Sequence, residues 1–126
     1  MRASIVTRCI AIAVHGPDEE ATAVFLLRRA ELERDLQRFD PAMTDAKRAS
    51  RLFLTLSGQG APSSYVGRCY LVEGSALQAS GGTDEARHKF AAAIEELRPT
   101  YGPDHPTTKL AERLLASATA GAIQSH

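Results

Sequence analysis

The side chains able to do chemistry in this chain are few, and their spacing is poor for it. His105 beside Asp104 is the pairing nearest to an acid/base or metal-binding set, yet no second His or carboxylate follows at ligand spacing. The same residues suit a helix start, with Asp104 capping the free amides and His105 and Pro106 in the first turn. His88 lies between Arg87 and Lys89 on a polar helical side, and His15 and His126 fall at a helix end and in the tail. Glu95 and Glu96 are adjacent, so on a helix they diverge by about 100° and do not form the facing pair that proton-transfer chemistry needs. Cys9 and Cys69 sit in apolar runs, which predicts two buried free thiols in a reducing compartment, not a disulfide framework or a zinc site. The stretches Ser57 to Gly60 and Gly81 to Gly82 lack the GxxxxGK[ST] or GxGxxG spacing, and neither follows a strand, so they predict no phosphate cradle. No GxSxG, HExxH or HRD string is present. The sequence nominates no catalytic residue, no metal ligand and no cofactor, and predicts that the chain is not an enzyme.

The elements that would position any site are helical. The 126 residues, 44% of them hydrophobic, suffice for one domain spanning 1–126 with a real core. Lys plus Arg and Asp plus Glu number 15 each, so the summed field predicts neither nucleic acid nor an anionic membrane as partner. The opening MRASIVTRCIAIAV has a short apolar run, but Arg8 interrupts it and no small-x-small cleavage pattern precedes HGPDEE. It falls short of the ~20 apolar residues that span a bilayer. A cytoplasmic chain is expected.

Glycine and proline punctuate the rest at Gly16 to Asp18, Asp40 to Pro41, Gly58 to Pro62, Gly81 to Gly82 and Gly102 to Pro106. The pieces between predict helices at 3–14, 18–39, 41–57, 62–80, 83–98 and 104–120. Ala42, Ala46, Ala49, Phe53 and Leu56 recur at three and four residues, as do Ala86, Phe90, Ala93 and Leu97. Phe25, Leu32, Leu36 and Phe39 share one face of the first long helix. Ile5, Val6, Ile10, Ile12 and Val14 are β-branched, so that segment would also suit a strand. Arg28, Arg29, Glu31, Glu33, Arg34, Asp35 and Arg38 alternate in sign, as on a solvated face laced by weak pairs or on a peptide-contacting wall.

The chain also resembles itself. GPDEEATAVFLLRRA from Gly16, GAPSSYVGRCYLVEG from Gly60 and GPDHPTTKLAERLLA from Gly102 start 44 and then 42 residues apart. A period in the forties with two helices per unit is a solenoid pattern, because one helix pair cannot bury its apolar face alone. The expected fold is all-α, a short helical-hairpin solenoid of about five to six antiparallel helices.

The segment from Tyr70 resembles a tetratricopeptide repeat: aromatic Tyr70, small Gly74, large Leu77, a turn at Gly81 and Gly82, then Ala86, Phe90 and Ala93. The handover from Tyr101 to Pro106, with Asp104 in it, is similar to the loop of the longer repeats of kinesin light chains and of arrays appended to bacterial Ser/Thr kinases and regulators. By this resemblance 1–15 is a remnant second helix, 16–58 a degenerate repeat, 60–99 the best match and 102–126 a terminal capping helix and tail. Glu73 departs from the pattern, standing where a large apolar residue is preferred.

The resemblance implies a protein or peptide partner lying against the first helix of each unit. Arg68, Leu71, Ser75 and Gln78 would face that groove, and by the 42-residue shift Leu110, Arg113 and Ser117 would follow. Arg68 and Arg113 would be donors to a carboxylate, and Leu71 and Leu110 an apolar floor. The implied function is a non-catalytic interaction module, of the kind that forms the C-terminal regulatory part of a larger signalling protein. The alternative is a structural fragment forming a homodimer through Ile5, Ile10, Ile12 and Val14. A small-molecule site between helices would need convergent polar groups, which the sequence does not display.

Overall fold

The computed structural model describes residues 18–58 and 60–124, with side chains as far as Gly121. Among these residues the chain forms five helices and no strand: α1 (Asp18–Asp35), α2 (Phe39–Ser57), α3 (Ser64–Ala79), α4 (Thr83–Tyr101) and α5 (Pro106–Gln124). The fold is all-α, as the periodicity predicts. The helix expected at 3–14, its apolar residues, Cys9, His15 and His126 lie outside the described residues.

Local chemistry sets the helix ends. Ser63 caps α3, its hydroxyl accepting from the Val66 amide at 3.3 Å, while its own amide donates to Glu96 Oε1 on α4 at 2.9 Å. At the far end of α3, the Gly82 amide donates to the Leu77 carbonyl and Gly81, at φ 92°, donates to Gln78. This paired closure suits glycine because its second residue is left-handed. The same closure ends α1 on Gln37, at φ 61°, with Arg38 donating to the Glu33 carbonyl and Gln37 to that of Arg34. The first helix therefore stops at Asp35 and not at 39, and Phe39 opens α2.

Two further expectations need correction. Pro99 does not end α4, which runs on to Tyr101. Proline there forfeits the one ladder bond that would have reached the Glu95 carbonyl, yet the helix continues through it, and Thr100 Oγ1 donates to the Glu96 carbonyl at 2.7 Å. The cap of α5 is His105 and not Asp104: its Nδ1 accepts from the Thr107 amide at 3.1 Å, and Pro106 is the first helical residue. The His105 ring is held there by stacking on Tyr101, centroids 4.1 Å apart.

Each helix packs on the next, α1 also packs on α3, and α3 touches α5. The odd-numbered helices thus stand side by side, while α2 bridges α1 to α3 and α4 bridges α3 to α5. One core cluster (Ala23, Leu26, Leu27, Ala49, Phe53, Val66, Cys69) joins α1, α2 and α3. A second (Leu71, Ala86, Phe90, Ala93, Leu97, Ala111, Ala118) joins α3, α4 and α5, and Tyr70 and Leu77 pack against it. Burial raises the Cys69 thiol to about 12, so it is held as the neutral, unreactive form.

The face of α1 expected to be buried is not. Its core residues are Ala23, Leu26, Leu27 and Ala30, whereas Phe25, Leu32 and Leu36 are each more than half exposed. Helix α1 is apolar on two sides, and only one has a neighbour among the described residues.

Candidate functional site

The row formed by α1, α3 and α5 bears an open groove of about 470 Å³. Its walls come from Arg34 and Asp35 of α1, Gln37 of the following turn, Phe39 at the start of α2, Ser75, Gln78 and Ala79 of α3, and Leu110 and Leu114 of α5. A second depression of about 360 Å³ adjoins it, sharing Gln37, Phe39 and Ala79 and extending to Met43 and Ala76. The left-handed Gln37 brings Phe39 to this place by reversing the chain between α1 and α2.

Of the seven residues nominated for partner contact, Ser75, Gln78 and Leu110 share this groove. Leu71 does not serve as its floor, because it is only 1% exposed and belongs to the second core cluster. Arg68 is not a free donor. Its Nε and Nη2 hold the Glu31 carboxylate at 2.9 and 2.6 Å, tying α3 to α1, and its guanidinium lies 5.9 Å from the Tyr65 ring centre. Hydrogen bonding to Glu31 makes its positive charge still harder to lose. Arg113 and Ser117 are exposed on α5 and do not line the groove.

Sequence reasoning missed Leu114, Ala79, Phe39 and Gln37 as groove residues, and reached Arg34 and Asp35 only within the charged face read either as solvated or as a peptide-contacting wall. Leu114 had a usable signal, since it lies one turn beyond Leu110. Phe39 and Gln37 had less, because Pro41 flags a break nearby but no glycine marks the left-handed residue at 37.

Two of the sign-alternating charges, Arg29 and Glu31, reach across to other helices. Besides Glu31 to Arg68, Arg29 holds Asp45 of α2 through two bonds of 2.7 and 2.8 Å. That pairing pulls the Asp45 carboxyl below its usual range. Glu33, next to it, moves the other way. Burial, and then the neighbouring Asp45, raise its pKa, and one of its oxygens is enclosed without a hydrogen-bond partner.

The signs give opposite pH dependences. Asp45, depressed in the fold, adds stability above its unfolded pKa that is lost as pH falls through its folded value. Glu33, raised in the fold, contributes stability at low pH that is lost as pH rises through its folded value. Glu33→Gln is therefore expected to stabilise the protein at pH 7, by less than about 1 kcal/mol for a group this close to water. The gain should vanish near pH 4, and thermal unfolding of both proteins from pH 4 to 8 checks it; a constant difference would refute the assignment.

Among the described residues no group of three or more His, Cys, Asp or Glu converges as a metal site, and no helix is long and apolar enough to cross a membrane. In comparisons with known proteins, no family model, no curated protein and no solved structure matches the chain.

Proposed function

We propose that this chain is a non-catalytic, cytoplasmic protein–protein interaction module that takes a segment of a partner protein across the α1, α3 and α5 face. The observation that carries this reading is the convergence of three alternate helices and one turn on a single open groove. Phe39, Ala79, Leu110 and Leu114 offer apolar contact, and Arg34, Asp35, Gln37, Ser75 and Gln78 offer polar contact, the mixture that orients a bound peptide. The side-by-side row of odd helices supports the likeness to a tetratricopeptide array, in which the first helices make the binding wall. Such a module fits the regulatory part of a larger signalling protein. With five helices among the described residues the groove they form is short, and micromolar affinity, about 8 kcal/mol, is expected.

Selection from a displayed peptide library, followed by fluorescence anisotropy on the winning peptides, tests the proposal. Leu110→Glu and Leu114→Glu are expected to weaken binding at least about tenfold, since each puts a charge where an apolar contact of roughly 1.5 kcal/mol or more is lost. Peptides that bind both variants as well as the parent, or no selected peptide at all, would overturn it.

A further inference from the structure

The exposed residues Phe25, Leu32 and Leu36 recur at intervals of seven and four, the spacing of a helix-pairing seam. Leu36 belongs to the helical course, its amide donating to the Leu32 carbonyl at 3.0 Å, so the three form one stripe along α1. Arg29 falls between them, but its guanidinium is drawn aside to Asp45 and lies 5.2 Å from the Phe25 ring centre, leaving its aliphatic stem in the stripe. One flank of the stripe, Leu26 and Glu33, turns to the protein's own interior. The open flank carries Arg28 and Asp35, seven residues and two turns apart.

We propose that this stripe pairs with the same stripe of a second copy of the chain, α1 against α1, antiparallel about a two-fold axis near Ala30 and Glu31. The orientation follows from residue identity. A parallel pair would set Arg29 against Arg29, whereas the antiparallel pair sets Leu36 against Phe25 and Arg29 against Leu32 of the other copy. In that register, same-flank positions face each other, so Arg28 of each copy meets Asp35 of the other. Arg28 has no ion-pair partner among the described residues, and Asp35, 65% exposed, accepts only from its neighbour Arg34. Two new ion pairs therefore form without breaking one between helices. The interface is small. Three large side chains a little over half exposed give roughly 300 Å² of apolar surface per copy, against about 800 Å² for a stable complex, so a weak dimer is expected.

Sedimentation equilibrium of the full chain from about 10 μM to 1 mM tests this, at two salt concentrations. The parent should show a monomer–dimer equilibrium with a dissociation constant on the order of 100 μM. Arg28→Asp and Asp35→Arg should each weaken it about tenfold or more by opposing like charges, and the combined swap should restore it to within about threefold. Leu32→Glu should abolish it, with the helical spectrum unchanged because the residue is on the surface. A parent that stays monomeric to 1 mM, as it would if residues 3–14 of the same chain covered the stripe, overturns the proposal. So does a dimer indifferent to the single charge reversals, or one that the double swap does not restore.

Discussion

Lys89→Met is expected to lower stability by roughly 2 to 3 kcal/mol, although it replaces a partly exposed side chain by one of similar length. The reason lies in Glu73, only 2% exposed on α3, whose Oε1 is 3.2 Å from the Lys89 ammonium and whose Oε2 has no hydrogen-bond partner. Removing the lysine leaves a buried carboxylate with no compensating charge, the costliest way to break an ion pair. The figure lies below the about 3 to 5 kcal/mol of a fully buried pair because the Lys89 side chain is 36% exposed, so water already screens the pair. Removing the acid instead has the opposite consequence. Glu73→Met takes an under-bonded charge out of the interior, and Lys89 keeps its place over the Tyr70 ring, 4.9 Å from the centre. That variant is expected to be as stable as the parent or more so, and the double variant should follow Glu73→Met, not Lys89→Met. Urea unfolding of the three proteins by circular dichroism decides the matter. If Lys89→Met costs under about 0.5 kcal/mol, or the double variant is as weak as Lys89→Met, Glu73 is not an uncompensated charge.

Glu73 also shows how far the sequence could be read. It stood out as the wrong residue for its place in a helical repeat, and the structure supplies the partner that makes it tolerable. That partner lies on the following helix, sixteen residues away, and no local pattern connects them. The helix ends divide in the same way. Gly81 and Gln37 close α3 and α1 by the same pair of hydrogen bonds. Only the first was legible, because glycine advertises a left-handed residue and glutamine does not. The groove inherits that gap: Ser75, Gln78 and Leu110 were nominated through the repeat resemblance, whereas Phe39 and Gln37 depend on a reversal that Pro41 flags but no glycine marks. On α1 periodicity identified an apolar stripe but not which of two stripes the neighbours cover. Ala23 and Ala30 win the core side because alanine lets α2 and α3 approach closely, which bulky Phe25 and Leu32 would prevent.

Close approach has its sharpest consequence between α3 and α4, where Gly74→Ala is expected to destabilise the protein by about 2 kcal/mol despite alanine's better helix propensity. A methyl at Gly74 would lie 2.5 Å from Phe90 Cε1 and 2.7 Å from Cδ1, well inside any real carbon–carbon contact. The ring has little room to withdraw, being fully buried in the cluster with Leu71, Ala86, Ala93 and Leu97. Overpacking of this degree costs about 3 kcal/mol at the upper end, and the helical preference for alanine over glycine returns about 1. The clash is a property of the pair, so its signature is coupling. Phe90→Leu alone should cost about 1 kcal/mol or more for the volume it removes, but in its presence Gly74→Ala should become nearly neutral. Strictly additive effects in the double-mutant cycle would mean that α3 and α4 are farther apart than the structure places them. Gly67 repeats the contact seven residues earlier, where a methyl would come 2.8 Å from Leu97 Cγ, and Leu97 is seven residues beyond Phe90. Two glycines thus set the α3–α4 distance along two turns, and the same helix carries Ser75 and Gln78 on its open side. Gly74→Ala should therefore also displace the groove wall, and weaken any peptide held there more than its effect on stability alone would predict.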